Sequence, residues 1–270
     1  MTLPRCTVRL DATSLEHIDV FWEIANTAQR TLDFTYQVLR GESPAGPFDA
    51  VTDPLRDRFH VRDYIAPRKM AWRNLYYVVR VRGGDETADT EPVALRARPP
   101  LDALEMVRLN SLLFREYTGR PVLIYQARTF GERCQNCYDA TTQRRLVANC
   151  RNCYGTTYAR GYHYPIYAYV QISPETRAPQ PTDTIQTQQA GTQARMSIYP
   201  LVKHGDLFIE REGARWRVQS VQLTERLRSP VQQILTVSRV PEGDIEYALP
   251  VVWDDAVSTS PRSFATKDEL

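Results

Sequence analysis

Cys134-Gln135-Asn136-Cys137 and Cys150-Arg151-Asn152-Cys153 make a C-x2-C-x12-C-x2-C array, and its reading decides the middle of the chain. Each C-x-x-C step lets one tight turn aim two thiolates at a single ion, and the residues between the steps suffice for a short hairpin that brings the turns face to face. Four thiolates close a tetrahedron and leave no open position for water or substrate, so the array points to a structural Zn2+. The candidate ligands are Cys134, Cys137, Cys150 and Cys153, with two disulfides or free thiols as the alternatives. Such an ion supplies on the order of 10 kcal/mol of folding free energy to a segment too small to build a core. The nearest further donor, His163, lies ten residues past Cys153, and Cys6, among Thr7, Val8 and Leu10, reads as a buried strand residue.

Working outward, Val122 to Arg128 reads as a strand entering this module and Tyr164 to Ile172 as one leaving it, which sets a zinc ribbon at 121–172. Between them stand Arg128, Arg133, Arg144, Arg145, Arg151 and Arg160 with Tyr138, Tyr154, Tyr158, Tyr162 and Tyr164. Arginine for phosphate and tyrosine for base stacking would serve a nucleic-acid binder. The stronger reading has the rings pack over the thiolates of a module with little core, and the arginines anchor protein contacts.

Upstream, Pro99-Pro100 ends a strand pattern and 99–120 reads as a connecting helix over Leu101 to Tyr117, closed by Gly119 and Pro121. Leu101, Leu104, Val107 and Phe114 fall near one face, with Leu109, Leu113 and Tyr117 beside them, a stripe that either packs on its own protein or seats a neighbour. Over 1–98, short alternating runs separated by turns read as a β-sandwich: Cys6 to Leu10, Ile18 to Ile24, Leu32 to Arg40, Arg58 to Asp63, Leu75 to Arg82 and Pro92 to Ala97. Val20, Trp22 and Ile24 share a face, as do Phe34, Tyr36 and Val38, and Tyr77, Val79 and Val81, and the three faces make one core. Ser43 to Phe48 reads as a loop. With Trp22 on the second strand, Tyr36 on the third and Tyr77-x-Val79-x-Val81 on the penultimate one, this third of the chain resembles a fibronectin type III domain, which implies binding or spacing.

Downstream, 173–194 is rich in Pro, Gln and Thr and reads as an extended arm. Arg195 to Leu201, Asp206 to Glu210, Arg215 to Leu223 and Gln232 to Val240 follow as strands, with turns at Gly205-Asp206 and Glu212-Gly213. They make a small antiparallel barrel over 195–250, with Trp216 and Val218 on one face and Leu235 and Val237 on another, before a polar tail at 251–270. The expected class is thus mainly β: a fibronectin-like sandwich, one helix, a zinc ribbon and a small barrel.

The composition narrows the function. The chain has 270 residues and a formal charge of +2, too little to demand nucleic acid or a membrane, so electrostatic arguments rest on local patches. No apolar run approaches the roughly 20 residues of a membrane span, and Met1-Thr2-Leu3-Pro4-Arg5 lacks the apolar centre of a signal peptide. Lys267-Asp268-Glu269-Leu270 spells a lumenal retrieval signal, which without a signal peptide reads as coincidence. Phosphate loops, nucleophile elbows and paired helical histidines are missing, and His17, His60, His163 and His204 read as isolated ordinary residues, so no enzyme is expected.

The barrel run Gly205-Asp206-Leu207-Phe208, Ala214-Arg215-Trp216-Arg217-Val218 and Gln233-Ile234-Leu235-Thr236-Val237-Ser238-Arg239 resembles the small barrels of tailed-bacteriophage neck proteins. Leu112-Leu113-Phe114-Arg115-Glu116-Tyr117-Thr118-Gly119-Arg120, joined to the two cysteine pairs and Tyr154-Gly155-Thr156, looks like phage structural proteins of the same kind. The resemblance implies a virion component of the head-to-tail connector, assembled in the host cytoplasm into a homo-oligomeric ring, a hexamer or dodecamer. Its neighbours would be portal or adaptor and tail-terminator proteins, and DNA in the channel would face Arg215, Arg217, Arg226 and Arg228. A zinc-ribbon nucleic-acid-binding protein and a tail or baseplate adaptor are the competing expectations.

Overall fold

The structure is a computed structural model, and it describes residues 3–12, 17–24, 30–65, 74–95, 100–147, 149–173, 191–251 and 253. In the amino-terminal part the strands are β1 (Cys6–Asp11), β2 (Ile18–Ile24), β3 (Thr35–Gly41), β4 (Phe48–Ala50), β5 (His60–Asp63), β6 (Tyr76–Gly83), β7 (Glu86–Asp89) and β8 (Val93–Ala94). They form two sheets, β1-β2-β5 and β4-β3-β6-β7 with β8 beside β6. Alternation drives their packing: Val20, Trp22 and Ile24 from one sheet meet Tyr36, Val38, Tyr77, Val79 and Val81 from the other in a single buried core, as the periodicity predicts. Two strands escape the sequence reading. β4 begins at Phe48, inside the expected loop, and β7 is short and exposed at every position, so it carries no apolar signal.

Helix α1 (Leu101–Leu113) continues into one wider turn, Phe114–Thr118, closed by the Gly119 N–H on the Phe114 carbonyl at 2.9 Å. Glycine is required there, because a Cβ at position 119 would lie 2.3 Å from that carbonyl oxygen. The expected face needs correction. Ala103 and Val107 are buried against Ile198 and Val231, with Phe114 buried further along, while Leu101 points to solvent; a small residue lets the helix lie close to the strands.

The remaining strands are β9 (Arg120–Tyr125), β10 (Tyr138–Asp139), β11 (Arg144–Arg145), β12 (Ile166–Ile172), β13 (Thr192–Ser197), β14 (Leu207–Glu210), β15 (Arg215–Arg226) and β16 (Ser229–Arg239). Six of them close a barrel in the order β12-β13-β16-β15-β14-β9. The barrel therefore extends past 195–250: β9 and β12, the strands flanking the cysteine module, are two of its staves, paired from Ile166↔Ile124 to Val170↔Arg120. Residues Thr192 to Ala194 of the expected arm belong to β13; positions 174–190 and 254–270 lie outside the described residues, as do 96–99 of the last expected sandwich strand and the linker after it.

Val122, Ile124, Ala168, Val170, Ala194, Met196, Phe208, Val218, Leu235 and Val237 fill the interior. Val218 pairs directly with Val237, which corrects the expectation of separate faces: paired residues of antiparallel strands point to one side, and closure makes that side a single interior. Gln233, fully buried, donates to the carbonyls of Ser197, Ile198 and Pro200 and accepts from the Val202 N–H, holding the loop after β13. Beyond Arg217, β15 leaves β14 and continues with β16 as an overhanging hairpin. Among the described residues no helix is long and apolar enough to cross a membrane.

Candidate metal centre

The module grows out of the β9–β12 pair as an extended hairpin. Isolated bridges Ala127↔Tyr162 and Arg133↔Tyr158 carry the pairing outward, and the Cys134 N–H donates to the Thr157 carbonyl at 2.9 Å. At the far end each C-x-x-C step folds back on itself: the Tyr138 N–H donates to the Cys134 carbonyl at 3.0 Å, and the Tyr154 N–H to the Cys150 carbonyl at 2.8 Å. Gly161 is the second obligatory glycine. Its φ is +65°, and a Cβ there would lie 2.6 Å from the Cys153 carbonyl oxygen, so only glycine lets the returning strand pass under the second step.

All four cysteines are buried, and their sulfurs lie within 4.8 Å of one another. Cys134 Sγ stands 3.7 Å from Cys150 Sγ, and Cys137 Sγ 3.1 Å from Cys153 Sγ, too far for the covalent sulfur–sulfur bond of about 2 Å. A tetrahedral ion with Zn–S bonds of about 2.3 Å puts its sulfurs about 3.8 Å apart; the Cys134–Cys150 spacing matches that, and the Cys137–Cys153 spacing is shorter. The donor set fits a metal chemically too. Burial, and then the neighbouring thiols Cys153 and Cys134, push the Cys137 thiol well above its ordinary value, a load that a dication removes by binding the thiolate. Asn152 supports the cluster from outside it, its amide donating to Cys134 Sγ at 3.6 Å. Four cysteines that can hold a metal ion are thus brought together as their spacing predicts.

The arginines are mostly in use. Arg128, buried at the module's root, makes a two-pronged pair with Asp57, Nη1 to Oδ1 at 2.9 Å and Nη2 to Oδ2 at 2.6 Å, and its Nε donates to the Tyr162 carbonyl. Arg160 Nη1 reaches the same Asp57 carboxylate at 3.1 Å and also donates to Thr31, whose hydroxyl donates to Asp57. Arg133 lies between the rings of Tyr138 and Tyr158, 4.7 and 4.0 Å from their centres, and Arg145 donates to the Gly155 carbonyl. Arg144 and Arg151 stand exposed at the tip. In the barrel, Arg217 pairs with Glu246, and Arg215 is buried against Tyr247 and the Leu249 carbonyl, while Arg226 and Arg228 are exposed at the hairpin tip.

Two features escaped the sequence reading. Phe130, from the module's root, enters the core of the amino-terminal sandwich, 4.9 Å from Phe59 edge to face. The histidines are also less isolated than expected. His60 Nε2 stands 2.8 Å from Asp19 Oδ1 and 2.7 Å from the Tyr199 hydroxyl, and His17 Nε2 stands 3.1 Å from Asp19 Oδ2, with Arg62 adjoining. Burial works to raise the Asp19 carboxyl, but hydrogen bonds and charge from His17 and His60 outweigh it and hold the group well below its usual range. Burial lowers His60. The sequence did carry one signal here: an Asp inside Ile18-Asp19-Val20-Phe21 must find partners when the strand packs. His163 sits against Phe59 and Phe130, and burial pushes it down to about 3, while His204 Nδ1 donates to the Gln219 carbonyl.

Comparison with protein-family models and with curated proteins finds no match.

Proposed function

We propose that this chain is a non-enzymatic structural subunit of a tailed-phage particle, repeated as a ring in the head-to-tail connector and stapled by Zn2+ at Cys134, Cys137, Cys150 and Cys153. One observation carries the reading: α1 has a second apolar stripe that its own barrel leaves bare. Met106, Leu109, Leu113 and Tyr117 recur at i, i+3, i+7 and i+11, and Leu109 is 52% exposed, Leu113 45% and Tyr117 83%. A stripe of that kind is a surface for protein contact. A ring subunit needs several such surfaces, toward its two neighbours and toward the rings above and below.

Further features support the reading. The overhanging β15–β16 hairpin and the start of β13 lie at opposite ends of the barrel, since Ser197 pairs near the hairpin and Thr192 far from it. That polarity suits a subunit stacked between portal or adaptor and tail-terminator proteins. The order β1-β2-β5 against β4-β3-β6-β7 supports the fibronectin type III-like reading of the amino-terminal sandwich. For the nucleic-acid alternative, Arg144 and Arg151 are the exposed arginines left available in the module, and for a DNA channel Arg226 and Arg228 are those left exposed in the barrel.

Electron microscopy of intact particles, at a resolution that traces the chain, tests the proposal. A ring between portal and tail is the expected result; absence of the chain from the particle overturns it. A DNA affinity that falls steeply between low and moderate salt would then favour the nucleic-acid reading.

A further inference from the structure

We propose that metal occupancy of the four-cysteine cluster controls how the amino-terminal sandwich docks on the rest of the molecule, so that the ion acts as a latch between domains as well as a local staple. The inference rests on the metal reading above and adds a consequence outside the module.

The contacts run as a continuous chain from thiolates to sandwich. The second cysteine step holds Arg160 in place: the Asn152 carbonyl, between Cys150 and Cys153, accepts the Arg160 N–H at 2.8 Å, and Gly161 passes within contact of Cys153. The first step is tied to the same strand through the Cys134 N–H on Thr157 and the Ala159 N–H on the Glu132 carbonyl. The Gly161 carbonyl in turn accepts the Arg128 N–H at 2.9 Å. Both guanidinium groups are therefore aimed by backbone that the cysteine steps shape, and both grip one carboxylate, Asp57.

Asp57 belongs to the sandwich, in the turn before β5, and it is held at φ +54°, a left-handed conformation unusual outside glycine. Two residues on, Phe59 meets Phe130 from the module's root. Charge pair and ring contact thus converge on the single segment Asp57-Arg58-Phe59, and Arg30 adds an outer ion pair with Glu132 at 3.7 Å. Without an ion the two cysteine steps are left to scattered hydrogen bonds and the Arg133 ring contacts, because among the described residues Cys134, Cys137, Cys150 and Cys153 form a buried cluster of their own. Loss of the ion frees the strand that carries Arg160, and Asp57 loses the partners that hold its turn.

Hydrogen exchange of the full chain, zinc-loaded and after Cys137→Ser substitution with EDTA stripping, tests the latch. The expected result is loss of protection in 133–158 together with 56–60, while Val78 to Val81, on the opposite sheet, stay protected. Asp57→Asn is the companion variant: asparagine tolerates the left-handed backbone, so the turn is kept and the charge removed. It should reproduce the loss at 56–60 while the chain still binds one zinc. If stripping loosens 133–158 and leaves 56–60 protected, or if Asp57→Asn changes nothing at 56–60, the latch is overturned while the metal site stands. If the wild-type chain binds no zinc, and stripping changes neither region, the metal reading fails and the latch with it.

Discussion

The barrel and the cysteine module share the β9–β12 pair, yet they hold together by opposite means. The barrel buries a contiguous set of ten apolar or small side chains between closed staves and leaves no strand edge around its girth. The module has two two-residue strands, a row of tight turns and a buried cluster made of nothing but sulfur. One region is stabilised by area removed from water and needs no bound ion; the other, on the zinc reading proposed above, depends on one. The boundary falls near Ala127 and Tyr162, where regular pairing gives way to isolated bridges.

Removing the ion should break the comparison most violently. With Cys137→Ser or Cys150→Ser, on the order of 10 kcal/mol of local folding free energy is lost. The expected outcome is release of zinc, measured by elemental analysis, and proton chemical shifts for 133–158 collapsing to random-coil values while barrel shifts persist. Collapse of the barrel shifts in the same sample would show that the module is the organising core instead. The reverse experiment is Phe208→Ala, which empties the barrel interior and should cost about 3–5 kcal/mol in denaturant unfolding while the zinc content is unchanged. Next comes Arg128→Ala, which takes the two-pronged partner from a partly buried Asp57 and leaves it Arg160 and Thr31; about 3 kcal/mol is expected, since removing one partner of a buried pair costs more than the pair contributes. A stability loss with no change in exchange at 56–60 would show that Arg128 acts only within its own module.

The smallest effect lies between the regions and depends on pH. His60 is lowered in the folded chain, so its contribution is complete above its ordinary value, near pH 6.5, and declines as pH falls below that value. Asp19, also lowered, adds a second loss at more acid pH, below the ordinary carboxylate value. Asp206 has the opposite sign: burial raises it to about 6, although it accepts the N–H groups of Ala127 and Lys203, so the fold gains as pH falls through 6. Asp206→Asn should therefore steepen the acid loss, read as the urea midpoint at pH 5 against pH 7. An unchanged slope would assign the acid response elsewhere.

How much of this was legible follows the same division. The cysteine cluster could be read from spacing, because two short turns that bring four thiols together make a local problem. The faces of β2, β3 and β6 could be read too, because a period of two is printed along each strand. Barrel closure could not. β9 and β12 stand outside the barrel's continuous run, and nothing in their own periodicity says which strands will flank them. The same limit hid Phe130, whose ring packs in another domain, and the meeting of His17 and His60 at Asp19. It also explains the arginines. Composition counts a basic patch, whereas pairing decides that Arg128 and Arg160 are both already engaged by one aspartate.

The module's position has a consequence for how such a chain could arise and be altered. It is inserted between staves that neighbour each other in the barrel, so its two ends are fixed one strand spacing apart, about 4.8 Å. From the barrel's side it is a hairpin turn that has been lengthened, and a turn is where insertions disturb a fold least. Cutting the chain back to a tight turn between Ala127 and Tyr162 keeps every stave and its register. The cysteine module is thus a removable cassette as far as the barrel is concerned, and the amino-terminal sandwich is the part of the molecule that has come to rely on it.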